Sequence, residues 1–360
     1  MDLEHLRSKI DAVDDHILQL LNNRYELVRQ VAAVKRREGV DFFDPNREKT
    51  LLARLCEKNP GPIKDETLRA VYREILSGSL ALEQPLTVAF LGPATTFTHQ
   101  AALRQFGHSV RYLAQQTIPD VFESVIRDRA RFGVVPVENS TEGAVTHTLD
   151  MFTDISIRIC AEINMAVHHN LLAACEKDAI RVIYSHPQVF GQCRQWLSKN
   201  LPGATLVEVS STTEAAVRCA DEANAGALAS ALAADRYHLK VVEENLEDFS
   251  DNITRFLVLG TEQPAPTGDD KTSMLFVVRD RVGALYDSLR PLSAHKINLT
   301  FIESRPSRRK SWEYYFFVDF YGHISDPVVQ QALDELGEHC QFVRILGSYP
   351  RAASFEPAKS

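Results

Sequence analysis

Apolar residues recur at intervals of three and four through Leu6, Ile10, Val13, Ile17, Leu20, Leu27, Val28 and Val31, and neither Pro nor Gly interrupts Asp2 to Glu38. That period predicts a single helix with one apolar face, about 50 Å long at ~1.5 Å per residue. Gly39 reads as its C-terminal stop, and Asp44-Pro45 as the cap and first position of a second helix running to about Lys58. Asn59-Pro60-Gly61-Pro62 breaks the chain before a third helix over Asp65–Glu83. Three helices, one of them so long, leave apolar faces uncovered. A second copy of the chain is the natural cover, so an intertwined helical homodimer is expected.

From Pro85 the rhythm changes. Short apolar runs at Thr87–Leu91, Ser109–Leu113, Phe132–Val137, Ile157–Ile163, Ala179–Tyr184, Ala204–Val209 and Gly226–Ala229 alternate with helical stretches, which predicts an α/β fold with mostly parallel strands. Two such lobes, with the chain crossing near Glu162–His169 and returning near Val241–Leu259, would leave a cleft between them. Gln263-Pro264-Ala265-Pro266-Thr267-Gly268 is a linker by composition. Beyond it the runs Ser273–Val278, Asn298–Glu303, Trp312–Tyr321 and Phe342–Leu346 read as strands, with helices at Gly283–His295 and Pro327–Leu336. The order βαββαβ gives a small α+β sheet with helices on one face. Segments 1–84, 86–262 and 271–350 are thus expected as three domains, with 351–360 a polar, disordered tail.

Composition narrows the function classes. At 360 residues the chain suits two or three domains, given roughly 150 residues per domain. Lys+Arg 40 against Asp+Glu 48 leaves a net charge of −8, which argues against a nucleic-acid partner held by a basic surface. Any anionic substrate needs cations placed locally. The start, MDLEHLRSK, is charged and amphipathic, unlike a signal peptide, and no run reaches the ~18 apolar residues of a membrane span. Six scattered cysteines without a CxxC pair favour neither a disulfide framework nor a zinc cluster. A cytoplasmic protein with no metal and no membrane partner is expected. His168-His169 is not a metal pair, since neighbours in an extended segment face opposite sides, and the absence of any GxG removes a Rossmann dinucleotide site.

On the first helix Arg24 and Lys35 fall in the middle of the apolar stripe, about three turns apart. Burying two unpartnered cations costs several kcal/mol each. They therefore pair with buried carboxylates of other helices, or Lys35 snorkels out to water, or the two line a pocket for a dianion. LRSKIDAVDDHILQLLNNR, then Lys35, then DPNRE at Asp44–Glu48 and SGSLALEQ at the end of the third helix resemble the chorismate mutase domain of bacterial bifunctional chorismate mutase–prephenate dehydratases. The resemblance covers this whole segment. It implies a site lined by Arg24, Lys35, Asp44, Arg47, Glu48, Ser79 and Glu83, with Arg7 entering from the other subunit. Glu83 stands where one common version of the family has Gln. The implied reaction, chorismate to prephenate, is pericyclic. It needs guanidinium forks for two carboxylates (Arg7, Arg24), a cation at the ether oxygen (Lys35) and an acceptor for the substrate hydroxyl (Glu48).

In the middle segment Gly92-Pro93-Ala94-Thr95-Thr96-Phe97-Thr98 opens a helix and presents N–H groups suited to an anion. With Glu138-Asn139-Ser140-Thr141-Glu142-Gly143, Ser185-His186-Pro187-Gln188 and Asn252-Ile253-Thr254-Arg255-Phe256, these blocks resemble prephenate dehydratase across about Leu86–Gly260. That family's two-lobed fold is similar to periplasmic binding proteins. The resemblance implies that Thr254 donates to the departing hydroxyl of prephenate and Arg255 holds a carboxylate. Glu138, Asn139, Ser140, Ser185 and Gln192 are the polar lining, and His186 is pocket wall. Thr95 stands where the family usually has Gly, and a β-branched residue disfavours positive φ.

Gly283-Ala284-Leu285-Tyr286 and Asn298-Leu299-Thr300-Phe301-Ile302-Glu303-Ser304-Arg305-Pro306 resemble the GAL and ESRP motifs of the ACT domain in these enzymes. The implied effector is L-phenylalanine, bound at a dimer interface by Gly283, Ala284, Leu285, Asn298, Leu299, Glu303 and Ser304. No cofactor is implied. Two other readings remain: a non-enzymatic amino-acid sensor built from a binding-protein-like module and an ACT domain, and a dehydratase whose mutase segment is inactive.

Overall fold

The computed structural model describes residues 2–38, 45–83, 85–249, 252–307 and 313–352. The expectations placed on Gly39, on Asp44 and on the tail beyond Ala352 lie outside the described residues. The chain divides into two compact units: the helical segment up to Leu86 with Phe106–Arg111, and Thr87–Gln105 with everything from Tyr112.

The helical unit holds α1 (Leu3–Glu38), α2 (Pro45–Glu57) and α3 (Asp65–Glu83). Helix α1, with 36 residues, is about 54 Å long at ~1.5 Å per residue. Among the described residues, only its C-terminal half finds cover. Ala32 is buried and Leu21, Arg24, Tyr25, Val28 and Lys35 are partly so, whereas every described residue before Leu21 is exposed. Leu6, Ile10, Val13, Ile17 and Leu20 therefore form an apolar face that no described residue of this chain covers. Helix α3 approaches α1 closely at Gly78, where a side chain would run into Tyr25, and Tyr25 donates to the Ile75 carbonyl at 3.2 Å. The buried residues of α3 are polar: Ser77, Ser79 and Glu83.

The second unit begins with β1 (Thr87–Leu91), α4 (Phe97–Phe106), β2 (Arg111–Gln115), α5 (Ile118–Ile126), β3 (Phe132–Asn139), β4 (Gly143–Ala144), α6 (Thr146–Asp154) and β5 (Arg158–Ala166). The chain then crosses to β6 (Asn170–Ala173), β7 (Val182–Ser185), α7 (Pro187–Gln192), α8 (Arg194–Asn200), β8 (Thr205–Glu208), α9 (Thr212–Asp221), β9 (Ala225–Ala229), α10 (Ala231–Tyr237) and β10 (Lys240–Glu243). It returns as β11 (Ile253–Gly260). One sheet runs β2-β1-β3-β11-β5 with β4 on β3, the other β10-β6-β9-β7-β8. Mostly parallel strands were expected, and the sheets are mixed. Strand β11 is antiparallel to both β3 and β5, and β6 is antiparallel to both β9 and β10. These strands leave or re-enter a sheet at the two crossings, so they run against the strands of the helical crossovers. Apolar periodicity carries no information on strand direction.

After the linker come β12 (Asp270–Val278), α11 (Ala284–Ala294), β13 (Leu299–Pro306), β14 (Tyr314–Tyr321), α12 (Pro327–His339) and β15 (Cys340–Pro350), forming a sheet β13-β14-β12-β15. Alternation along β12 divides its two faces. Met274 and Phe276 pack with Leu292, Val329 and Leu336 of the helices. Leu275 and Val277 join Ile159, Leu257 and Leu259 of the first sheet in one core. Gly347 lies so close to the backbone of Ile159 that a Cβ there would collide with it. The C-terminal sheet is therefore welded to the first lobe. Arg344 adds to the weld by donating to the carbonyls of Phe152, Thr153 and Ile155 at the end of α6.

Candidate functional site

In the helical unit the structure brings Arg24, Lys35, Ser79 and Glu83 together. Arg24 Nη1 donates to Ser79 Oγ at 2.5 Å, and that hydroxyl donates to the Ile75 carbonyl at 2.7 Å. Lys35 Nζ lies 3.8 Å from Glu83 Oε2, with both side chains largely shielded. That carboxyl oxygen is buried without a hydrogen bond among the described residues. Burial holds the Glu83 carboxyl above the usual carboxylate range, against the opposing pull of Lys35, Arg47, Arg24 and Arg36. Arg47 and Glu48 sit in the first turn of α2. Arg36, not singled out from the sequence, donates to the Glu83 carbonyl at 2.7 Å. Arg7 lies 17 residues before Arg24 on α1, about 25 Å along the axis, so one chain does not bring it to this cluster. The arrangement offers cations, a hydroxyl and a carboxyl oxygen out of water, which suits an anion carrying an ether or hydroxyl group.

At the seam between the two lobes, β11 and β3 set Thr254 opposite Asn139. Asn139 Oδ1 accepts from the N–H groups of Thr141 and Glu142, which turns its amide nitrogen toward Thr254 Oγ1 and Asn252 Oδ1, both at 2.8 Å. Thr254 Oγ1 thus accepts one bond and keeps its own proton to donate. Asn252 Nδ2 donates to Gln192 Oε1 at 3.3 Å, and Gln192 Nε2 reaches Glu142 at 3.1 Å across the seam. His169 Nε2 also meets Gln192 Oε1, at 2.7 Å, so that nitrogen carries the proton, and burial holds the imidazole below its usual pKa. Asn252, Glu142 and His169 are the members that sequence reasoning passed over. The first two lay inside quoted motifs, and His169 was weighed only as a metal ligand.

Thr95 adopts φ +75, the glycine-like conformation that its β-branch disfavours. Three bonds hold it there: its N–H to His99 Nδ1, its hydroxyl to Thr213 Oγ1, and its carbonyl from Ser230. The last two cross the seam from the second lobe and help hold the loop in this conformation.

Three expected lining residues are placed elsewhere: Ser185, Arg255 and Glu138, which stands opposite Arg255 in the β3–β11 register and shares its face. Ser185 is fully buried and donates to the Leu228 carbonyl, tying β7 to β9. Arg255 follows Thr254 on a strand, and successive side chains point to opposite faces. Its guanidinium therefore turns away from the seam toward the C-terminal sheet. There it meets Asp319 at 2.5 Å, Glu162 at 2.8 Å and Tyr349 Oη at 3.0 Å, with Glu138 at 3.6 Å. It is not disposed to hold a substrate carboxylate beside Thr254. Removing one partner of such a buried pair costs roughly 3–5 kcal/mol. Ser140 Oγ accepts from the N–H of Ile253 at 3.0 Å and so fixes the start of β11.

In the C-terminal sheet Gly283, with φ +78, caps α11 and permits the turn beside a cavity of about 470 Å³. Gly283, Ala284 and Leu285 line it together with Val278, Tyr314 and Phe316. Asn298 precedes, and Leu299, Glu303 and Ser304 lie on, the edge strand β13, and none of the four lines this cavity. Arg305 of the same strand makes a bidentate pair with Asp150 of α6 at 3.0 and 3.1 Å.

Three family models match in chain order: chorismate mutase type II over residues 6–84, prephenate dehydratase over 88–264 and the ACT domain over 272–338. A bifunctional chorismate mutase/prephenate dehydratase of Aquifex aeolicus (strain VF5) is 45% identical over 356 residues, covering 98% of each chain. The crystal structure of a prephenate dehydratase from Arthrobacter aurescens in complex with L-Phe matches with TM-score 0.68 and 34% identity, over 74% of this chain and 90% of that one. GqqA, described as a novel type of quorum quenching acylase, matches with TM-score 0.67 and 30% identity, over 74% of this chain and 98% of its own. Among the described residues no helix is long and apolar enough to cross a membrane. With a relative so similar along nearly its whole length, and both catalytic families matched in order, the chain belongs to the bifunctional chorismate mutase/prephenate dehydratases.

Proposed function

We propose that chorismate rearranges to prephenate in the α1–α3 cluster and that prephenate loses CO2 and its hydroxyl at the seam beside Thr254. Glu83 Oε2, buried without a hydrogen bond among the described residues and 3.8 Å from Lys35, carries the first assignment. Such an oxygen calls for a partner, and a substrate hydroxyl or ether group would supply one. The rearrangement requires no nucleophile. The site holds the reactive conformer and stabilises negative charge on the ether oxygen as its C–O bond breaks. Arg24 and Arg7 take the carboxylates, with Ser79 holding the Arg24 fork. Lys35 and protonated Glu83 face the ether oxygen, and Arg47 and Glu48 close the polar wall, Glu48 accepting from the substrate hydroxyl.

In the dehydratase step Thr254 donates to the leaving hydroxyl as the ring becomes aromatic, its oxygen held by Asn139. Ser140 and Gln192 shape the surroundings, and the N–H groups opening α4 meet a carboxylate. Fold alone does not settle chemistry on a scaffold that also occurs in a protein described as an acylase, so the weight rests on Thr254.

The bare apolar face of α1, from Leu6 to Leu20, favours a homodimer in which Arg7 of one copy completes the other's mutase site. Mixing subunits tests this. Arg7→Ala and Lys35→Ala chains, each inactive as mutases, are expected to regain about a quarter of wild-type activity when unfolded and refolded together, because half the dimers are hybrids with one intact site. A mixture that stays inactive overturns the shared site.

The cavity beside Gly283 is the proposed seat of L-phenylalanine, its carboxylate at the N-terminus of α11 and the partner's Asn298–Ser304 strand completing it. Calorimetry on the full chain should show saturable phenylalanine binding that Gly283→Val removes. Unchanged binding in that variant removes the assignment. We place the enzyme in the cytoplasm, a compartment that suits its unpaired cysteines, and set the domain limits near residues 84, 262 and 271.

A further inference from the structure

Arg255 is 8% exposed, and the groups around its guanidinium come from both halves of the second unit. Glu162 belongs to β5, while Asp319 and Tyr349 belong to β14 and β15 of the C-terminal sheet. Lys271 of β12 joins the cluster through Glu162 at 2.6 Å, and Ser273 of the same strand through Tyr349 Oη at 2.6 Å. Phe301 of β13 places its ring 6.0 Å from the guanidinium carbon. Two cations thus face two buried carboxylates, and Glu162 is 6% and Asp319 5% exposed. Burial pushes the Glu162 carboxyl up, and Arg255 and Lys271 more than reverse this, leaving it below its usual range. Every strand of the C-terminal sheet therefore contributes a contact to this network, whose central residue is bonded directly to the residue assigned the proton-donating role.

The same strands continue to the effector cavity. Val278 of β12, Tyr314 and Phe316 of β14 and Gln341 of β15 line it, and further along these strands stand Ser273, Asp319 and Tyr349. Because the charges are out of water, a shift of the C-terminal sheet against β11 would strand ions without partners, so strand and sheet move together. The second face of β11 carries Thr254 opposite Asn139.

We propose that Arg255 is a positioning residue, and that Asp319 and Tyr349 hold the Thr254 hydroxyl in its reactive place through it. The C-terminal sheet then takes part in the dehydratase step directly, and an occupant of the effector cavity acts on Thr254 along β12, β14 and β15. The proposal rests on the assignment of Thr254.

Asp319→Asn and Tyr349→Phe, each nearly isosteric, test it in the full chain. Dehydratase kcat should fall about tenfold, in line with the sensitivity of rate to small misplacement, with KM within about twofold and mutase turnover by the same chains unchanged. The response of the dehydratase to phenylalanine should weaken in both. Arg255→Lys should likewise lower kcat, whereas a carboxylate-holding arginine would show a raised KM at constant kcat. Wild-type kcat in both near-isosteric variants, or a KM effect alone, overturns the proposal. If Asp319→Asn lowers mutase and dehydratase together and melts early, it reports folding. The decision then falls to Tyr349→Phe, which loses a single oxygen. A Thr254→Ala chain that retains dehydratase activity overturns the assignment of Thr254 itself, a result distinguishable from failure of the positioning network.

Discussion

Thr254→Ala should lower phenylpyruvate formation by about 10²–10³-fold, the scale seen when one donor to developing negative charge is removed. Prephenate formation by the same chain should be intact. The reason lies in the direction of the hydrogen bonds. Asn139 is oriented by the Thr141 and Glu142 N–H groups, so its amide can only donate to Thr254 Oγ1. The hydroxyl proton is left to point at a departing oxygen. Thr254→Ser should keep most of the activity, and Thr254→Val, equal in shape but without the hydroxyl, should match Ala. Separate assays of chorismate loss and phenylpyruvate gain check this. Equal loss of both would report misfolding or a wrong assignment, and a dehydratase within a few-fold of wild type would leave the departing hydroxyl to another donor.

Lys35→Ala should reduce mutase turnover by a similar factor, about 10²–10³, and leave conversion of added prephenate unaffected. The ammonium stands 3.8 Å from Glu83 Oε2, where the ether oxygen of a bound chorismate would share its charge. Glu83 adds a pH dependence of definite sign. Burial raises its pKa. Below that raised value the carboxyl is neutral and donates a hydrogen bond. Above it the group is an anion that can only accept and that repels the substrate's own carboxylates. Mutase activity should therefore fall as pH rises through the pKa of Glu83. Glu83→Gln, which donates at any pH, should flatten that limb. A pH–rate curve identical in wild type and Glu83→Gln removes Glu83 from the mechanism.

The proposed mutase cluster was partly legible in the chain. Cations at Arg24 and Lys35 within an apolar stripe conflict with burial unless something negative meets them, and the structure puts Ser79 and Glu83 against them. The raised pKa of Glu83 was not legible, since it depends on the water that α1 and α3 exclude. At the seam, Thr254 and Asn139 were readable as motif members. Their hydrogen bond required the antiparallel pairing of β3 with β11. For Arg255 the signal was present: neighbours on a strand face opposite ways, so it does not share the face of Thr254. What it faces instead was not readable, because Tyr349 lies 94 residues further along the chain. Ser185 gave no such signal, as a hydroxyl at a strand end serves a cleft or a neighbouring carbonyl equally well.

By itself, then, the sequence determined what depends on near neighbours: the helical and extended periods, the breaks at Pro and Gly, and the clustering of charge along one helix face. The tertiary structure decided what depends on residues far apart in the chain. It set the direction of the crossing strands, the fusion of the C-terminal sheet to the first lobe through one core, and the partners of the buried ions. Periodicity records which side of an element avoids water, whereas a buried charge is stable only beside a specific opposite charge, and that neighbour is supplied by packing.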